Sequence, residues 1–103
     1  MVIIETPIFT RQVLDLIDDE SYQALQTELI ARPDAGPIIP GSGGLRKMRW
    51  AGSGHGKRGG VRVIYYWITA DDQIFMLYMY PKSERGDLTP AQLRALRQLV
   101  EEK

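Results

Sequence analysis

At 103 residues, with 44% hydrophobic and 25% charged content, the chain has the make-up of an ordinary globular protein and the length of a single domain, residues 1–103. It holds no cysteine, which excludes disulfides and thiolate metal sites, and no apolar run long enough to span a bilayer; with no signal-like start, a cytoplasmic protein without a membrane partner is expected. The 13 basic and 13 acidic residues cancel, yet they are segregated: residues 44–70 carry six of the cations and no acid, whereas residues 1–43 carry two cations against seven acids.

Val2 to Glu5, "VIIE", reads as a short β-branched strand. Thr6-Pro7 is a helix start, a hydroxyl N-cap followed by proline at the first helical position. Phe9, Val13, Leu14, Leu16 and Ile17 then recur near helical spacing, until Asp18-Asp19 ends this helix and caps the next. That second helix, "ESYQALQTELIAR", is amphipathic through Tyr22, Leu25, Leu29 and Ile30, and Pro33 stops it. Residues 33–44 hold three prolines and four glycines and read as a loop.

"LRKMRW", residues 45–50, reads as a strand with Leu45, Lys47 and Arg49 on one face and Arg46, Met48 and Trp50 on the other. A glycine-rich tract follows as a flexible hairpin connection. "VRVIYYWIT", residues 61–69, is the strongest strand signal in the chain, and after a turn at Asp71-Asp72 "QIFMLYMY", residues 73–80, gives a third strand of the meander. Thr89-Pro90 repeats the cap-plus-proline signal and opens a last helix with Leu93, Leu96, Leu99 and Val100 inward. The order β-α-α-β-β-β-α implies an α+β domain, an antiparallel sheet with helices packed on one face and the other face left for water or a ligand.

The acid-free segment 44–70 points to an anionic partner. The single histidine, His55, sits in the glycine tract and reads as a solvated loop residue; with no cysteine and no His–carboxylate cluster, neither a metal site nor a cofactor is expected. "GSGHGKRGG" is not a P-loop, because its Gly-Lys is followed by Arg rather than Ser or Thr and it lies between two strands. Cations on a sheet face, with Tyr65, Tyr66, Trp67, Tyr78 and Tyr80 nearby, suit RNA: ammonium and guanidinium groups hold phosphates, and rings stack on unpaired bases. Most of those aromatics also have a plain reading as core. Metal-free RNA cleavage by the ribose 2′-hydroxyl needs a base, an acid and cations for the phosphoryl charge. Lys47, crowded by Arg46, Arg49 and Arg62, could serve as the base if like-charged neighbours lower its pKa.

The run "GLRK-x-R…GKRGG-x-R-x-IYY", followed by "Y-x-K-x-E" and "DL", resembles the RelE superfamily of bacterial toxins, and most closely its HigB-type branch. The resemblance covers nearly the whole chain. It implies the toxin of a type II toxin–antitoxin pair, an endoribonuclease that cuts mRNA in the ribosomal A site, against 16S rRNA, by metal-independent 2′-hydroxyl attack. The partner it implies is a small HigA-like, helix-turn-helix antitoxin. Carried over by position, it implies catalytic roles for Lys47, Arg49, Arg62 and Lys82, and RNA contacts for Lys57, Arg58 and Arg85, with Glu84 also matched; the reading of cations and rings on the sheet adds Arg46, Tyr66 and Tyr80 as RNA contacts. Two positions depart from the RelE pattern: Ser83 stands where RelE proper has arginine, and Thr89 where it has tyrosine. Lys82 and Arg85 also read as members of exposed ion pairs with Glu84 and Asp87. Two other functions stay open on the sequence, a ParE-type toxin that poisons gyrase and a non-catalytic RNA-binding module.

Overall fold

The centre of the sheet is built from the two segments that carry almost no polar residue. In the computed structural model, which describes residues 1–51, 60–82 and 87–102, these are β3 (Val61–Ile68) and β4 (Gln73–Pro81). Around them lie β1 (Val2–Glu5), α1 (Pro7–Leu16), α2 (Asp19–Ala31), β2 (Arg46–Trp50) and α3 (Pro90–Glu101). The predicted elements are all present, with ends shifted by a residue or so. The strands form one sheet in the order β1-β4-β3-β2. Among the described residues no helix is long and apolar enough to cross a membrane.

Two features of the predicted architecture are corrected. The sheet is mixed rather than antiparallel, because β1 pairs in parallel with β4, Ile3 opposite Ile74 and Ile4 opposite Phe75. The helices also do not share one face. Phe9, Val13 and Ile17 of the α1 segment and Leu25 and Leu29 of α2 pack against Val61, Val63, Tyr65, Ile74 and Met76. Leu96 and Val100 of α3 pack instead with Leu45, Ile64, Phe75 and Leu77 in a second cluster on the opposite face. The reason lies in the strands. Both β3 and β4 are apolar at successive positions, the pattern of strands covered on both sides rather than of a half-solvated sheet.

A bulge in β4 decides which residues reach which layer. Ile64 lies opposite Tyr78 and Tyr65 opposite Met76, so Leu77 is the extra residue. Ile74, Met76 and Met79 therefore serve the α1/α2 layer, whereas Phe75, Leu77 and Tyr80 serve the α3 layer. Without the extra residue, strict alternation would send Tyr80 to the opposite side of the sheet.

The helix ends are satisfied by side chains, as the sequence predicts. Thr6 accepts from the Phe9 N–H at 3.0 Å and donates to the Leu77 carbonyl, tying the start of α1 to the sheet. Asp18 accepts from the Ser21 N–H at the start of α2. Thr89 and Gln92 form a reciprocal capping box at the start of α3. The apolar stripes are narrower than the periodicity suggested: Leu14 is 73% exposed and Ile30 is 49% exposed.

The loop between α2 and β2 is anchored throughout. The buried Tyr65 hydroxyl donates to the Pro33 carbonyl and accepts from the Gly36 N–H, both at 2.8 Å. The chain then runs back along β2, with Ile39 N–H donating to the Leu45 carbonyl at 2.7 Å and Lys47 N–H to the Pro37 carbonyl at 3.1 Å. Gly36 is required by this close approach: a Cβ there would stand 2.7 Å from the Lys47 carbonyl oxygen.

Candidate functional site

The antiparallel ladder between β2 and β3 sets Arg49 directly opposite Arg62, and the ladder to β4 sets Arg62 opposite Tyr80. One row across the sheet thus reads Arg49, Arg62, Tyr80. The next row is Lys47, Ile64, Tyr78. All lie on the α3 side, where Ile64 and Tyr80 pack with α3 and Leu93 shares a cavity wall with Lys47. Two like charges directly opposite on adjacent strands repel, so this arrangement is a standing electrostatic cost in the free chain.

One acid relieves it. The Lys47 ammonium Nζ lies 2.6 Å from Oδ1 of Asp87, just ahead of α3. The hydrogen bond and charge of Lys47, with a further contribution from Arg62, hold the Asp87 carboxyl below the usual carboxylate range. The expectation that Lys47 stands among cations alone is therefore corrected: its nearest charged partner is a carboxylate. Nothing in the local pattern "GDLTP" announces this contact, because residues forty positions apart make it. The "DL" pair in the resemblance was the only pointer to it.

Two concavities meet at Lys47. One, of about 790 Å³, is lined by Lys47, Arg49, Arg62 and Asp87, by the Glu28–Arg32 ion pair, and by Met48 and Trp50. The other, of about 340 Å³, is mostly apolar, with walls from Ile38, Ile39, Ile64, Tyr80, Leu88 and Leu93. Pro37, Lys47 and Asp87 belong to both.

Of the residues singled out from the sequence, Lys47, Arg49, Arg62 and Tyr80 come together. Tyr80 does so as a wall, only 6% exposed and with its ring centroid 6.0 Å from that of Tyr78. Lys82 is exposed just beyond β4, its N–H donating to the Gly60 carbonyl at 3.0 Å. Arg46 and Tyr66 do not join the site. Arg46 is on the α1/α2 side, where its guanidinium donates to the Gly36 carbonyl at 2.8 Å and lies 5.9 Å from the Trp67 ring centre. Tyr66 is half-buried beneath α3, with the Arg97 guanidinium 4.9 Å from its ring centre. Those contacts make Arg46 a clamp on the loop and Tyr66 part of the α3 layer. His55, Lys57, Arg58 and Arg85 lie outside the described residues, as do the glycine-tract hairpin and Ser83.

The mixed sheet and the placement of its helices can be set beside known proteins. The chain is similar in structure to the E. coli toxin RelE, solved in the free state as a double arginine-to-alanine mutant, with a TM-score of 0.60 over 96% of this chain and 95% of that one, at 11% sequence identity. At that identity the likeness concerns the fold. The family is shown by sequence: residues 9–102 match the model of the RelE toxin of the RelE/RelB toxin–antitoxin system. With nearly its whole length matched, and the four-stranded sheet and three helices of the fold in place, the chain belongs to the RelE toxin family.

Proposed function

We propose that this toxin is a ribosome-dependent mRNA endonuclease, which cuts mRNA in the A site and so stops translation. The observation that carries the reading is the cross-strand pair Arg49–Arg62 with Lys47 one row away, where the exposed Asp87 pairs with Lys47 and Glu28 of the same cavity pairs with Arg32. Such a cluster is stabilised by an anion that brings more charge than one carboxylate, and a phosphodiester with its neighbours does so.

In the proposed reaction the 2′ oxygen bonds to phosphorus as the bond from phosphorus to the 5′ oxygen breaks. A base removes the 2′ proton and an acid supplies one to the leaving oxygen, giving a 2′,3′-cyclic phosphate and a 5′-hydroxyl. Arg49, Arg62 and Lys47 stabilise the charge that grows on the phosphoryl oxygens, and Lys82, exposed just beyond β4, is proposed to act on the leaving oxygen. RNA has to draw Lys47 away from Asp87 to use it. The antitoxin of the pair, proposed to be a HigA-like helix-turn-helix protein, neutralises the toxin in the cytoplasm.

The test is cleavage of mRNA on programmed ribosomes. Arg62→Ala is expected to lower the rate by about 10²–10³, the effect of removing one charge-stabilising donor, while the chain stays folded. Full cleavage by that variant would remove the proposed site. No cleavage by the unmodified toxin, with DNA-damage signalling and continued translation in cells, would transfer it to the gyrase-poisoning class.

A further inference from the structure

The Lys47–Asp87 pair is lopsided. The Lys47 side chain is 27% exposed and the Asp87 side chain 81% exposed, with Nζ 2.6 Å from Oδ1. The lysine is held by its surroundings, its backbone N–H bonded to the Pro37 carbonyl within β2, whereas the carboxylate stands in water and reaches in. Asp87 is nevertheless kept close. Leu88 packs against the α3-side cluster, and the capping box at Thr89 fixes the helix start just beyond. A carboxylate tethered beside an ammonium competes at a high effective concentration with any anion from solution. An exposed pair is also weak, so the competition is reversible.

From this geometry we propose that Asp87 is an autoinhibitory counter-ion: in the free chain its carboxylate occupies the anion position at Lys47, and a phosphate reaches that ammonium only by displacing it. The inference rests on the reading of the cluster as a phosphate site, and it adds a brake to that site. The charge layout gives the brake its direction. Arg49 faces Arg62 across the ladder with Lys47 one row away, so the empty site gains from a nearby acid. Bound phosphate supplies that compensation itself, and Asp87 then becomes a like-charged neighbour. The same carboxylate steadies the empty site and opposes the occupied one. A salt bridge that only holds the fold lacks the second effect. Glu28 gives the contrast: it lines the same cavity but is paired with Arg32 rather than with Lys47.

The test is calorimetric titration of the full-length toxin with inorganic phosphate and with a short single-stranded oligodeoxynucleotide, which lacks the attacking hydroxyl and is not cut. Asp87→Asn and Asp87→Ala are each expected to bind both probes about two- to fivefold more tightly, the equilibrium equivalent of one exposed ion pair. Glu28→Gln removes the same charge from the same cavity and is expected to leave affinity nearly unchanged. In a Lys47→Gln background, Asp87→Asn is expected to have no further effect, because its action runs through that ammonium. Equal or weaker binding by the Asp87 variants would overturn the inference, the weaker case marking Asp87 as a residue that positions Lys47. So would an equal gain from Glu28→Gln, which would reduce the effect to general charge, or a gain that persists without Lys47. The titration needs neither ribosome nor cleavage. Phosphate ignored by every variant would remove the phosphate site and the brake together, and binding without an Asp87 effect would remove the brake alone. A toxin that shows the Asp87 effect but cuts no mRNA would lose the proposed reaction and keep the inference.

Discussion

Two residues do more here than their sequence positions suggest. Tyr65 was one of several aromatics that could be core or contact surface, and it is both fully buried and polar-tipped, its hydroxyl pinned between Pro33 and Gly36. Burial raises its pKa, so it stays a neutral donor. Tyr65→Phe strands a buried N–H and a carbonyl and is expected to cost about 1–3 kcal/mol in urea denaturation. It is also expected to loosen the loop that lines both cavities. Asp87 is the other. Its carboxyl titrates lower in the folded chain than in the unfolded chain. Its contribution to stability is thus complete above the ordinary carboxylate value, about 3.9, and is lost as pH falls through the lower folded value. In denaturation series across pH, the stability gap between the unmodified chain and Asp87→Asn is expected to be constant above about pH 5 and to close under acid conditions. A gap independent of pH down to the acid limit would show that the Lys47 pair does not form in solution.

At the level of elements, the caps were legible because capping is local. Thr6-Pro7, Asp18 and Thr89-Pro90 lie within three residues of the groups they satisfy, and each does so in the structure. The box at Thr89 also matters to the site, since it fixes the start of α3 beside Leu88 and Asp87. Thr89→Ala is expected to destabilise the chain by about 1 kcal/mol, measurable as a lower denaturation midpoint with unchanged slope. Strand partners were less legible. Alternation placed Lys47 and Arg49 together and Arg46 apart, and the ladder agrees. Alternation could not foresee the bulge at Leu77, because one inserted residue leaves composition and pattern almost unchanged while reversing the face of everything after it. Tyr80 joins Arg62 only through that insertion.

On the scale of the molecule, the sheet is sandwiched between α1 with α2 on one side and α3 on the other, and the basic site borders the α3 layer through Ile64 and Tyr80. α3 therefore belongs to the fold as much as to the rim of the site. A chain ended after Leu88 would bare Phe75, Leu77 and Ile64, which are 7%, 0% and 0% exposed in the whole protein. Size-exclusion chromatography is expected to show such a chain aggregated rather than monomeric. A soluble, folded truncation would mean that the second layer is dispensable. What the sequence determined alone was whatever depends on near neighbours: where helices begin and end, which segments are strands, which side chains of one strand share a face, and the gathering of cations without acids. The family signal rests on the same string of residues. What only the tertiary structure decided were the relations between distant segments. These are the parallel pairing of β1 with β4, the face taken by α3, the removal of Arg46 and Tyr66 from the site, and the arrival of Asp87 at Lys47. The physical reason is common to all four. Each is chosen by burial and charge compensation across the sheet, and a one-dimensional pattern states which residues want a partner without stating which partner they find.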